Sequence, residues 1–129
     1  MERSLKKIAL DTNAVLSITK GQNVLEELRR ELGNSAQIVI PSQVRQELSA
    51  LENRDQQSRK RIGMVIAFIA LFGVKTKKVD AKNADAALVK LSQAGWIVVT
   101  NDRDLLREIK NRSGQTRSLS RNRLKQEDG

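Results

Sequence analysis

Histidine, cysteine and tyrosine are absent from this chain of 129 residues. That removes imidazole acid–base catalysis, thiol chemistry and phosphotyrosine intermediates from its repertoire. Carboxylates remain. Five stand out, four where a strand ends or a helix begins, Asp11, Asp85, Asp102 and Asp104, and Glu47 within a helix. Hard divalent cations such as Mg²⁺ and Mn²⁺ prefer oxygen ligands, and a water held by such an ion becomes a nucleophile able to attack a phosphodiester.

Each acid also has a plainer reading. Asp11 ends an apolar run and precedes Thr12 and Asn13, so it can enter a crevice with Asn13 supporting the turn, or merely form an Asx-turn or helix cap. Glu47 sits three residues after Val44, beside the apolar stripe of Val44, Leu48 and Leu51. A solvated helix glutamate more often lies opposite such a stripe; the plain alternative is a core-edge ion pair with an arginine. Asp85, in the first turn of its helix, can simply favour the positive end of the helix dipole. Asp102 and Asp104 flank Arg103 directly after Trp-Ile-Val-Val-Thr, and capping accounts for one of them. Two acids there, opposite a strand-end Asp11, repel each other unless a cation or proton intervenes.

The elements that must position these groups follow from periodicity. Leu5 to Leu10, Gln37 to Ile40, Val74 to Val79 and Trp96 to Thr100 read as strands, and Thr116 to Leu119 as a weak fifth strand whose exposed residues place it at a sheet edge. Helices are expected over Val15 to Leu32, Ser42 to Leu51, Arg59 to Phe72, Asn83 to Ala94 and Asp102 to Asn111. The Arg59 to Phe72 helix is apolar enough to be buried on most of its circumference. Alternating strands and helices predict an α/β fold: a parallel sheet of four to five strands with helices on both faces and right-handed crossovers. Ligands of such sheets bind beyond the carboxyl ends of the strands, where Asp11 and Asp102 fall.

Length and a hydrophobic fraction of 39% suit one domain spanning residues 1–129, with a basic tail from about residue 113. The net charge of +9 attracts polyanions, nucleic acid foremost. No acid lies between Glu108 and Glu127, where Lys110, Arg112, Arg117, Arg121, Arg123 and Lys125 cluster. Arg117, Arg121, Arg123 and Lys125 are therefore the expected RNA contacts, the alternative being a solvated chain end. Phe68, Phe72 and Trp96 are the only aromatics, all inside apolar runs, so affinity should come from phosphates rather than base stacking. Without cysteine, neither disulfides nor a thiolate zinc site can form. The longest apolar stretch is too short for a bilayer and no signal-peptide pattern begins the chain, so a cytoplasmic location without membrane contact is expected.

Four short motifs recur in an order that resembles the PIN domain: Leu-Asp-Thr-Asn at 10–13, Val-Arg-Gln-Glu-Leu at 44–48, Ala-Asp-Ala-Ala-Leu at 84–88 and Val-Thr-Asn-Asp-Arg-Asp-Leu at 99–105. Each is weak alone; their order, spacing and placement at strand ends and helix starts make the set specific. The resemblance implies a three-layer fold with a parallel sheet in the order 3-2-1-4-5, which sets Asp11 beside Asp102. It also implies that Asp11, Glu47, Asp85 and Asp102 are the catalytic and metal-binding acids for Mg²⁺ or Mn²⁺, with Asp104 as an auxiliary acid and Asn13 and Thr100 as supporting groups. The activity implied is metal-dependent hydrolysis of RNA to 5′-phosphate and 3′-hydroxyl ends.

Residues around Pro41, Glu47 and the ending Leu-Ser-Arg-Asn-Arg-Leu are more similar to archaeal PIN proteins related to ribosomal-RNA-processing nucleases than to an average VapC toxin. Ribosomal precursor RNA is thus the expected target. The competing readings are a VapC-like toxin ribonuclease silenced by an antitoxin, and a non-catalytic RNA-binding assembly protein on the same scaffold. A receiver-like phosphate-binding domain is disfavoured, because the strand-end lysine and clustered N-terminal acids it needs are missing. The partners expected are RNA and, according to role, a second copy in a homodimer, an antitoxin or a ribosome-assembly partner.

Overall fold

Alternation of side chains along the central strands sorts the core into two layers. The computed structural model describes residues 6–21, 23–120 and 123–126. In strand β1 (Lys7–Leu10), Ile8 and Leu10 face one layer and Ala9 the other; in β2 (Gln37–Pro41), Ile38 and Ile40 oppose Val39 in the same way. This is the period-2 pattern of strands buried on both faces. The first layer contains helices α1 (Thr12–Leu16), α2 (Val24–Leu32), α3 (Ser42–Glu52) and α4 (Gln56–Leu71). The second contains α5 (Ala84–Gln93) and α6 (Arg103–Asn111) with Trp96.

Strands β3 (Lys75–Lys77), β4 (Ile97–Val99), β5 (Thr116–Ser120) and β6 (Arg123–Gln126) complete a sheet ordered β3-β2-β1-β4-β5-β6 among the described residues. The first five strands are parallel and take the expected order 3-2-1-4-5. Pairing of Leu10 with Val99 brings the carboxyl ends of β1 and β4 side by side, so the residues that follow both strands meet at one crevice.

Three expectations need correction. The helix expected over Val15 to Leu32 is broken: α1 passes into a 3₁₀ turn at Ser17–Lys20, Gly21 takes φ 81°, and α2 starts afresh. Asn23 caps α2 by accepting from the Glu26 N–H and donating to its carboxylate, a reciprocal arrangement that fixes the restart. Gly21 supplies the left-handed conformation that most L-residues avoid.

The weak fifth strand is neither exposed nor an edge. Thr116, Arg117 and Ser118 are buried, and β6 pairs antiparallel along β5 in the register Ser118↔Lys125 and Leu119↔Leu124. The segment from about residue 113 is therefore not merely a basic tail, because part of it forms a hairpin of the sheet.

Helix α4 is buried on one side only. Ile62, Val65 and Ile69 enter the core, while Met64 and Leu71 are largely exposed and Phe68 is at the margin. Its far end is fixed by Arg29, whose guanidinium donates to the carbonyls of Asn34, Ala36 and Phe72 and lies 5.3 Å from the Phe72 ring centroid. One side chain thus ties the end of α2, the start of β2 and the end of α4.

Candidate active site

Asp11 is buried, with its backbone still joined to the sheet through a 3.0 Å bond from its N–H to the Val99 carbonyl. Leaving β1 in extended conformation, it caps α1 by accepting from the Thr12 N–H at 2.7 Å on Oδ1. Oδ2 accepts from the Thr100 hydroxyl at 2.6 Å and the Asn13 amide at 3.0 Å. Thr100 is fully buried and also accepts from the Asp102 N–H at 3.0 Å. Asn13 returns across the crevice to accept from the Asn101 N–H at 3.1 Å. The carboxyl ends of β1 and β4 are thereby sewn together around one carboxylate.

The other acids approach from separate helices. Glu47, exposed on α3, accepts from the Thr12 hydroxyl. Asp102 caps α6 through Oδ1, which takes the N–H groups of Asp104 and Leu105 at 3.0 and 3.2 Å. Asp85 lies in the first turn of α5, behind the Asn83 cap. Burial pushes the Asp11 carboxyl above its ordinary 3.8, the Thr100 and Thr12 hydrogen bonds pull it back, and the charges of Asp85 and Glu47 raise it again. The Asp85 carboxyl is also raised, by partial loss of water first and then by Asp102 and Glu47. Four acids from four elements therefore share one electrostatic neighbourhood.

A family model described as a PIN-like domain matches residues 8–120. The chain belongs to the PIN-like domain family. Among solved structures, that of "the PIN domain endonuclease Utp24" superposes with a TM-score of 0.75 at 19% identity, covering 94% of this chain and 90% of the other. A domain of a functionally unknown protein from Methanocaldococcus jannaschii DSM 2661 follows with a TM-score of 0.63 at 19% identity, covering 96% and 98%. At such identities the likeness concerns the fold. No curated protein matches the chain.

The donor set of this PIN-like domain suits a hard divalent cation: oxygen ligands only, their mutual repulsion relieved by positive charge. Among the described residues no three acids are gathered tightly enough to form a ready cage. Mg²⁺ commonly binds through one or two carboxylates and keeps several waters, so the arrangement fits an open, hydrated ion rather than an all-protein shell.

Of the supporting residues, Asn13 and Thr100 both touch Asp11. Asp104 does not reach inward; its side chain is 93% exposed and pairs with Arg107 at 3.5 Å. Among the expected RNA contacts, Arg117 must be withdrawn. Its side chain is 10% exposed, and Nε donates to Glu31 of α2 at 2.9 Å, so its charge is spent inside the fold. Arg121 lies outside the described residues, while the backbones of Arg123 and Lys125 belong to β6.

A positioning residue went unnoticed in the sequence. Gln43, at the start of α3, donates from Nε2 to the carbonyls of Val79 and Ala81 at 2.6 and 2.9 Å. The Ser42 hydroxyl adds a 3.4 Å contact from the Val79 N–H. The connection leading into α5, and hence Asp85, is held against the helix that carries Glu47. A glutamine after a strand-ending proline offers no signal for this, because its partners lie 36 and 38 residues away.

Proposed function

We propose that this PIN-like domain is an Mg²⁺- or Mn²⁺-dependent endoribonuclease of the cytoplasm, acting on ribosomal precursor RNA. The observation that carries the reading is the Thr100–Asp11–Asn13 network. It holds a buried carboxylate at the crevice between β1 and β4, within the field of Asp85 and Glu47. A buried acid with a raised pKa and neighbouring acids is costly for a fold, and such costs concentrate at functional sites. The family match over residues 8–120 and the likeness to an endonuclease fold support nuclease chemistry on these acids.

The bound ion would supply an activated water and neutralise charge developing on the phosphate. The chain's own contribution is geometric. Asp11 is immobilised by three hydrogen-bond donors, Asp102 is held by its cap, Glu47 is steered by Thr12, and Asp85 arrives on α5. Asp11, Glu47, Asp85 and Asp102 are the proposed ion-holding acids. Positioning of this kind supplies much of the acceleration in phosphodiester cleavage.

The test uses end-labelled precursor RNA incubated with purified protein in Mg²⁺, Mn²⁺ or EDTA. Cleavage in either ion, 5′-phosphate product ends, inhibition by EDTA and loss of cleavage in folded Asp11→Asn are expected. Equal cleavage by wild type and Asp11→Asn, or cleavage undiminished by EDTA, would overturn the reading.

A further inference from the structure

Two ammonium groups, one from the amino end of β1 and one from the carboxyl end of β3, share one aromatic ring. Lys7 Nζ lies 5.7 Å and Lys77 Nζ 5.6 Å from the ring centroid of Trp96, within the range of a cation–π contact. Trp96 is only 5% exposed, whereas both lysines are exposed. Among the described residues neither lysine is in an ion pair.

Edge protection explains part of this. Strand β3 is the free edge of the sheet, and lysines there deter pairing with another chain. It does not explain Lys7, which begins the central strand β1 and yet sends its ammonium to the same ring. Nor does it explain why two cations take the same ring. Two ammonium groups on one ring, with no carboxylate paired to either among the described residues, leave positive charge that an anion can neutralise.

We propose that Lys7 and Lys77, presented on Trp96, form a second contact site for the phosphate backbone of RNA, separate from the crevice that holds Asp11. The inference rests on the reading of the chain as an RNA nuclease, and it gives that nuclease a contact that positions substrate without touching the scissile bond. Lys75 extends the basic surface, since Lys75 and Lys77 are two residues apart on β3 and share a face of the strand. With Arg117 occupied by Glu31, this patch supplies cationic charge that the core does not consume. Lys7 stands four residues from Asp11 along β1, about 13 Å of strand, while Lys77 ends β3 in register with Pro41. RNA engaged both at this patch and at the acids would be fixed in register over the crevice.

Trp96 is the only tryptophan of the chain, so its emission reports on this patch directly. The experiment titrates a labelled single-stranded RNA of about 20 nucleotides into Asp11→Asn protein, following both Trp96 emission and RNA anisotropy across a range of salt. A salt-sensitive change in emission is expected. Lys7→Gln/Lys77→Gln in the same background should bind roughly tenfold more weakly at low salt, with the slope of log affinity against log salt reduced by about 1.4. Lys7→Arg/Lys77→Arg should restore both.

In the otherwise wild-type enzyme, the double glutamine variant should raise KM far more than it lowers kcat. Unaltered affinity and salt slope in the folded double variant would overturn the proposal. Equal emission changes from inorganic phosphate or polyglutamate at matched charge would overturn it too, by showing a general anion site. If RNA binds through the two lysines but no cleavage occurs in any divalent ion, the nuclease reading fails while the contact site stands.

Discussion

The hydroxyl of Thr100, wholly buried, donates to Asp11 Oδ2 at 2.6 Å while accepting the Asp102 N–H at 3.0 Å, so one side chain links two acids that lie 91 positions apart in the chain. The bond to Asp11 favours its ionised form, partly offsetting the burial that raises its pKa. Thr100→Val nearly preserves shape but removes both bonds. The orphaned groups should cost roughly 1–3 kcal/mol of stability. The acid limb of the cleavage rate should also move to higher pH. A denaturation midpoint and a pH–rate profile measure the two effects, and an unmoved acid limb would show that Thr100 does not govern Asp11.

The raised carboxyls of Asp11 and Asp85 make a prediction for metal-free protein. With folded pKa values above the unfolded 3.8, the native state holds more protons than the unfolded state between the two values. The contribution of these groups to stability is therefore greatest below 3.8 and is lost as pH rises through their folded pKa. Asp85→Asn should remove its share of that decline and raise the melting temperature in EDTA at pH 7 more than at pH 3. Equal shifts at the two pH values would mean that Asp85 feels no such opposition.

Arg117 is predicted to matter for folding. Its ion pair with Glu31 joins β5 to α2, with Arg117 almost buried and Glu31 partly exposed. Removing one partner of a fully buried pair costs about 3–5 kcal/mol, and exposure of Glu31 reduces this to roughly 1–3 kcal/mol for Arg117→Gln. Urea denaturation of Arg117→Gln, Glu31→Gln and the double variant should show non-additive losses. Strict additivity would show that the pair contributes nothing beyond its separate members.

Gly114 closes α6 under tight packing. A Cβ there would stand 2.5 Å from Ile109 Cγ2 and 3.2 Å from the Ile109 carbonyl oxygen. Ile109 is fully buried beneath the sheet, so it has little room to yield. Gly114→Ala should lose about 1–3 kcal/mol through overpacking, read as a lower denaturation midpoint. A stability equal to wild type would mean that the β5 approach shifts without penalty.

The alternation of strands and helices was legible because apolar runs such as Ile8–Leu10, Ile38–Ile40 and Ile97–Val99 end at residues that turn or cap. The acids were legible for the same reason: Asp11 and Asp102 are caps whose position at strand ends betrays the crevice. What escaped depends on tertiary partners. Arg117 reads as a tail cation until Glu31 is beside it, and the polar strand β5 reads as an edge until β6 covers it. The restart of α2 was signalled by Gly21 and Asn23, but the apolar spacing across that point outweighed two breakers. The exposed side of α4 was hidden because its apolar residues run right round the helix, leaving periodicity nothing to distinguish.

Gln43 offers the sharpest separation of position from ligation. Its amide donates to the Val79 and Ala81 carbonyls rather than to any of the four acids, yet those bonds hold the chain that enters α5. Val79 and Ala81 precede Asn83, the cap whose side chain accepts the Ala86 N–H at 2.8 Å and sets the first turn containing Asp85. Gln43→Ala should leave the sheet and both core layers intact, because the side chain is only half-buried and contributes no apolar surface to them. The cost in stability should be about 1 kcal/mol. Activity should fall further than that, since displacement of a reacting group by about 1 Å can cost a hundredfold. Loss should be partly recovered at high Mn²⁺ if the acid is loosened rather than removed, and Asp85→Asn should show no such recovery. Paired metal titrations of cleavage by Gln43→Ala and Asp85→Asn measure this directly. Identical metal dependence in Gln43→Ala and wild type, with undiminished rate, would show that α5 finds its place without the Gln43 tether.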